Sequence, residues 1–123
     1  MQLANRLYAV LGWALVTLGS FHMLATFWLT KSTPNGRVWF FGAGIAMALS
    51  GALNLLNRTY GPSAPGLLAV CRANNVLLTL FTIAAGIITT GSNLERVLII
   101  GLVSGTLVLS LIGSALNTTP KLP

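Results

Sequence analysis

Few side chains in this 123-residue chain could do chemistry. The only histidine, His22, lies inside residues 7–29, LYAVLGWALVTLGSFHMLATFWL, which hold no Asp, Glu, Lys or Arg. A titratable ring inside such an apolar run marks a functional-site candidate. The second set is amide and guanidinium: Asn54, Asn57 and Arg58, then Arg72, Asn74 and Asn75. Convergent groups of this kind suit a carboxylate, a phosphate or a lipid headgroup. The alternative is that the amides bond the backbone at helix ends while the arginines reach lipid phosphates. Cys71 is a lone cysteine and forms no intrachain disulfide; it reads as a small, partly buried residue near a helix start.

Catalysis and metal binding find little support. The one acidic residue, Glu95, falls in a turn, so no carboxylate pair is available for acid–base work. Ser20 is two residues from His22 and turns to another helix face, so no nucleophile–base pair is implied. No CxxC and no Gly-rich phosphate loop occurs. His22 has no second His, Cys pair or carboxylate at its depth, so a haem or metal would need a ligand from another chain. The expectation is a chain with no catalytic residue and no metal site.

The elements that must position these groups are membrane spans. The chain is 54% hydrophobic and 7% charged, against about 25% charged in an ordinary soluble domain. Its mean hydropathy is +0.83. Residues 7–29 would reach about 34 Å as a helix, enough for a hydrocarbon core of about 30 Å. Three similar runs follow, at about 38–56, 67–89 and 94–116. The expectation is an all-α, up-down-up-down four-helix transmembrane bundle in one domain, with short loops. Breaks are expected at Pro34-Asn35-Gly36, at residues 59–66 with two prolines and two glycines, and at residues 91–96. Trp28, Trp39, Phe40 and Phe41 bracket the first break as an interfacial aromatic belt. The run also exceeds the apolar core of a cleavable signal peptide.

The net charge of +6 comes from seven basic residues against one acid. They lie scattered near span ends, without a basic cluster, which argues against nucleic acid as a partner. The terminal side holds Arg6, Arg58, Arg72 and Lys121; the opposite side holds Lys31, Arg37 and Arg96. By one residue and the free amine, the count favours both termini in the cytoplasm. The triplets at Asn57 and Asn117 that match a glycosylation acceptor read as chance in that orientation.

Periodicity places faces. On span 3, Arg72, Asn75, Thr79, Thr82, Gly86 and Thr89 recur at spacings of three and four, a polar seam that must face protein or a wet cavity. Span 2 carries Gly42-Ala46-Ser50 and Gly44-Ala48-Ala52, spacings that let helix backbones approach. Span 4 carries Gly101, Ser104, Gly105, Ser110, Gly113 and Ser114. On span 1, Gly12, Leu15, Gly19, His22 and Thr26 share a stripe. Helical rise puts His22 about 10 Å from the following turn, level with Gly44, Thr82 and Gly101. Glycine opposite a histidine leaves volume for ring packing or for a ligand.

In length and span number the chain is similar to the small multidrug transporters, but their first-helix glutamate has no counterpart beside His22. Arg72-Ala-Asn-Asn75 resembles the Arg-x-x-Asn of the membrane glutathione-dependent eicosanoid enzymes, whose following glutamate would fall at Leu78. The helix-1 histidine followed by WFFGAGIAMALSGALNLLNR resembles small uncharacterised four-span bacterial membrane proteins. That likeness covers about half the chain and implies no activity.

Three functions are expected from these residues. The first is a non-enzymatic membrane protein that binds a hydrophobic or amphipathic small molecule or lipid. His22, Thr26 and Thr82 would form the polar end of its pocket; Asn54, Asn57, Arg72 and Asn75 would hold an anionic headgroup. The second is an accessory subunit of a larger membrane complex, or a homo-oligomer, docking through the glycine-rich faces. The third is a small proton-coupled transporter using His22, which would respond between pH 5 and 8. No cofactor is specified. The location expected is a bacterial inner membrane.

Overall fold

A computed structural model describes residues 2–28, 33–88 and 92–117, with the backbone alone at 65 and 113–117. The fold is an all-α bundle of four helices: α1 (Gln2–Ala25), α2 (Pro34–Tyr60), α3 (Pro65–Ile88) and α4 (Asn93–Asn117). A single 3-10 turn, Gly61–Ser63, links α2 to α3. All four are long and apolar enough to cross a membrane, which fits an integral membrane protein. Large side chains that face outward are apolar, including Trp13, Phe21, Trp39, Leu77 and Ile87. That is the surface lipid requires.

Helix ends differ from the sequence expectation at both ends of α1 and of α2. α1 begins at Gln2 and stops at Ala25, so Thr26 to Trp28 form a turn rather than its last helical residues. Pro34-Asn35-Gly36 is not a break but the first turn of α2. Thr33 is the cap, its hydroxyl accepting the Gly36 N–H at 3.1 Å, and Pro34 takes the first helical position, where a missing N–H costs nothing. α2 also continues to Tyr60, four residues past the expected end. α4 starts behind Ser92, whose hydroxyl accepts the Glu95 N–H at 3.2 Å. Leu29, Lys31, Thr89 and the tail from Thr118 lie outside the described residues.

Each helix packs on its two neighbours in a closed ring: α1 on α2, α2 on α3, α3 on α4, and α4 on α1. The tightest seam is α1–α2, and it is built on glycine. A Cβ added at Gly19 would lie 2.5 Å from the Gly44 carbonyl oxygen and the Ala48 nitrogen; one added at Gly51 would lie 2.5 Å from the Gly12 oxygen. Gly12 therefore faces Gly51 and Gly19 faces Gly44, an antiparallel pairing of two heptad-spaced glycines on each helix. Backbone meets backbone there, which raises dispersion contact where lipid supplies no hydrophobic drive. Of the small residues on α2, Gly42 faces outward into open space and takes no part.

The bundle interior has three levels. In the middle, each helix contributes one apolar side chain: Leu15, Met47, Leu78 and Val103. Towards the α2–α3 connection the interior is polar, and towards the α3–α4 connection it opens into a cavity. The α3 seam faces inward at Asn75, Thr79 and Thr82, which are buried, while Leu77, Leu80, Ile83 and Ile87 face out. Thr106 and Ser110 of α4, also buried, donate to their own helix at Leu102 and Leu107 carbonyls.

Candidate functional site

The polar level is a hydrogen-bonded network that ties three helices. Asn54 of α2 and Asn75 of α3 face each other as a reciprocal amide pair, each Nδ2 donating to the other's Oδ1 at 2.8 Å. The Tyr8 hydroxyl of α1 donates to Asn54 Oδ1 and accepts from Asn57 Nδ2 at 3.3 Å. Cys71 Sγ donates to the same Asn54 oxygen at 3.3 Å. Asn54 Nδ2 spends its second hydrogen on the Ser50 carbonyl at 2.7 Å, and Asn74 donates to the Ser50 hydroxyl at 2.8 Å. Asn54, Asn75 and Cys71 are 2% exposed or less. The Asn57 Oδ1 is buried there without a hydrogen-bond partner among the described residues.

The headgroup site expected from the sequence rests on several of the same side chains. Asn54, Asn57 and Asn75 do come together, but they turn inward on one another. Both N–H groups of Asn54 are spent inside the bundle, and those of Asn75 point to Asn54 and, at 3.8 Å, to Cys71. No amide donor of that pair is left to meet a headgroup. Arg72 is half-buried one residue past Cys71, and exposed Arg58 donates through Nε to Asn5 at 2.8 Å. Cys71, expected as a partly buried bystander, is instead fully buried and bonded.

The cavity at the other end is lined in part by His22. It has a volume of about 130 Å3 and is open on one side. Its walls are apolar: Ala43 and Met47 from α2, Leu78, Phe81, Ala85 and Gly86 from α3, Ile99 and Ile100 from α4. Four polar residues line it as well, His22 and Thr82 inside the spans, Glu95 and Arg96 at the start of α4. The His22 ring stacks on Phe40 of α2, centroids 4.3 Å apart and planes 19° from parallel. Its Nδ1 lies 3.3 Å from the Leu18 carbonyl one turn back on the same helix. Thr82 donates its hydroxyl to the Thr79 carbonyl at 3.0 Å.

His22 and Thr82 thus meet at one cavity, at the level that helical rise assigns them. Thr26 does not line it; Thr26 is buried beside α1 with its hydroxyl on the His22 carbonyl at 3.0 Å. Nor does the free volume come from Gly44 or Gly101. Gly44 is filled by Gly19 and Met23, and Gly101 faces outward. Depth along a helix is set by rise, but facing is set by rotation about its axis, which rise leaves open. The small residues that make the room are Ala43, Ala85 and Gly86.

The place of Tyr8 and Cys71 in the network is only faintly signalled in the sequence. Tyr8 stands four residues before Gly12, on the same α1 stripe, and Cys71 stands four before Asn75, on the α3 seam. Neither residue type is conspicuous in an apolar helix. Among the described residues, no group of three His, Cys, Asp or Glu side chains could hold a metal ion. No protein-family model matches the chain, and neither does any curated protein or solved structure.

Proposed function

We propose that this protein is a non-enzymatic integral membrane protein that binds a hydrophobic or amphipathic small molecule or lipid beside His22. The observation that carries the reading is the cavity: small and apolar, open on one side, with two embedded polar side chains. Ligand sites have this make-up, apolar walls with few polar groups that fix orientation. A space of about 130 Å3 is close to the engineered 150 Å3 cavity that takes benzene. It accepts a ring or the end of a chain, with the rest of the molecule lying outward among lipid. The polar network at the opposite end serves to fix helix register in this reading. The bundle sits in a bacterial inner membrane with both termini cytoplasmic, as the Lys and Arg count favours.

Ala85→Phe places a ring in the cavity and tests the proposal. A molecule that co-purifies with the wild type should be lost from this variant while the far-ultraviolet circular dichroism stays helical. Equal retention by both would refute the cavity as the site. A second reading, docking on a further copy or on a larger membrane complex, draws on Gly42 and Gly101, where added side chains would meet nothing within 4 Å.

A further inference from the structure

The cavity is graded along the bundle axis, and this inference rests on the cavity reading above. At about 1.5 Å per residue, Glu95 and Arg96 lie within about 5 Å of the start of α4, whereas Leu78 lies about 15 Å inside the end of α3. Charged residues therefore line one end of the cavity, at the level of the helix ends. Met47 and Leu78 of the apolar middle layer line the other. Among the lining residues, Glu95 and Phe81 are exposed, so the open side runs from the end of the bundle down to the lipid beside α3. A molecule in this space keeps its charge at the helix ends, because the apolar end cannot solvate one. That is how a lipid lies in the surrounding leaflet.

We infer that the cavity takes part of one chain of a zwitterionic lipid, with the head at Glu95 and Arg96. Glu95 is the single acidic residue of the sequence, and it lines the charged end beside a guanidinium. A head that is only negative would be drawn to Arg96 and repelled by Glu95; a head that is only positive would meet the reverse. A phosphate joined to an ammonium suits both side chains. About 130 Å3 has room for part of one chain. A second chain stays in the bilayer, past Phe81.

The test uses lysophosphatidylethanolamine and lysophosphatidylglycerol with the same acyl chain, which share the phosphate and differ in whether the head carries an ammonium. Each is titrated into the full chain in micelles of a neutral maltoside detergent at low salt. Backbone amide shifts of Thr82, Ala85, Gly86 and Ile99 are followed by nuclear magnetic resonance. The same titrations are run on Glu95→Gln, which changes an exposed side chain, and on Arg96→Gln. Micelle partitioning is common to all three proteins, so the ratio of the two affinities is compared between them. The wild type should favour the ethanolamine lipid, and Glu95→Gln should lower that preference about fivefold, the upper size of one exposed ion pair. Arg96→Gln should weaken both lipids alike, since both carry the phosphate. If both lipids shift the cavity amides with a ratio unchanged in Glu95→Gln, the zwitterionic head is overturned while the cavity stands. If neither lipid shifts them, the cavity reading falls and this inference with it.

Discussion

Gly19→Ala adds one methyl group at the tightest point of the bundle, and its cost follows from the geometry. The new Cβ would lie 2.5 Å from two backbone atoms of α2, where ordinary contact begins at 3.4 Å. Neither atom belongs to a flexible side chain, so α1 and α2 must separate by about 0.9 Å. A gap of that size forfeits about a quarter to a half of each dispersion contact along the seam. Overpacking of this kind costs about 1–3 kcal/mol. Alanine also gains about 1 kcal/mol of helix propensity over glycine, which Gly42→Ala would gain without any clash, since nothing lies within 4 Å of it. The difference between the two variants removes the propensity term and should be about 2 kcal/mol, close to thirtyfold in the unfolding equilibrium. Reversible unfolding in mixed micelles with increasing dodecyl sulfate, followed by circular dichroism, reads it directly. Equal stabilities for Gly19→Ala and Gly42→Ala would refute the glycine-on-glycine seam.

The Asn54–Asn75 pair should behave as a unit: each single change to Leu strips the other buried amide of its partner across the α2–α3 interface, costing about 1–3 kcal/mol, while the double change costs less than their sum by about 1 kcal/mol. Strict additivity in a double-mutant cycle would count against the reciprocal bond. Cys71 is 0% exposed, so a maleimide should label it only after unfolding; labelling of the folded protein at the rate of a free thiol would contradict its place in the network. Thr33→Ala removes the hydroxyl that caps α2 and should lower stability by about 1 kcal/mol, whereas an unchanged midpoint would mean that the cap bond does not form in the membrane.

The architecture was legible because hydropathy and the α3 seam are local properties of the chain. A run of apolar residues demands a span, and Asn75, Thr79 and Thr82 at helical spacing demand an inward face. Helix ends were less legible. Thr33-Pro34 reads equally as a turn or as a cap with proline at the first position, and only the Gly36 N–H bond to Thr33 decides it. α1 begins at Gln2 because helix formation does not require the apolar boundary at Leu7. The site divides in the same way. His22 and Thr82 share a depth that rise alone predicts, but Gly86, Glu95 and Arg96 enter the cavity through the rotation of α3 and α4, which no local pattern encodes. The antiparallel match of Gly12 with Gly51 and Gly19 with Gly44 rests on equal spacings of seven on two helices, visible only when both are read together. Tyr8 depends on partners 46 and 63 residues away, Asn54 and Cys71.

Native mass spectrometry of the wild-type chain released from mild detergent tests the ligand-binding cavity most directly. The expected spectrum shows the 12.9 kDa chain carrying one small molecule in fixed proportion, and the Ala85→Phe chain bare. A wild-type spectrum showing only the bare chain, or the same bound mass on both proteins, would contradict a ligand site beside His22.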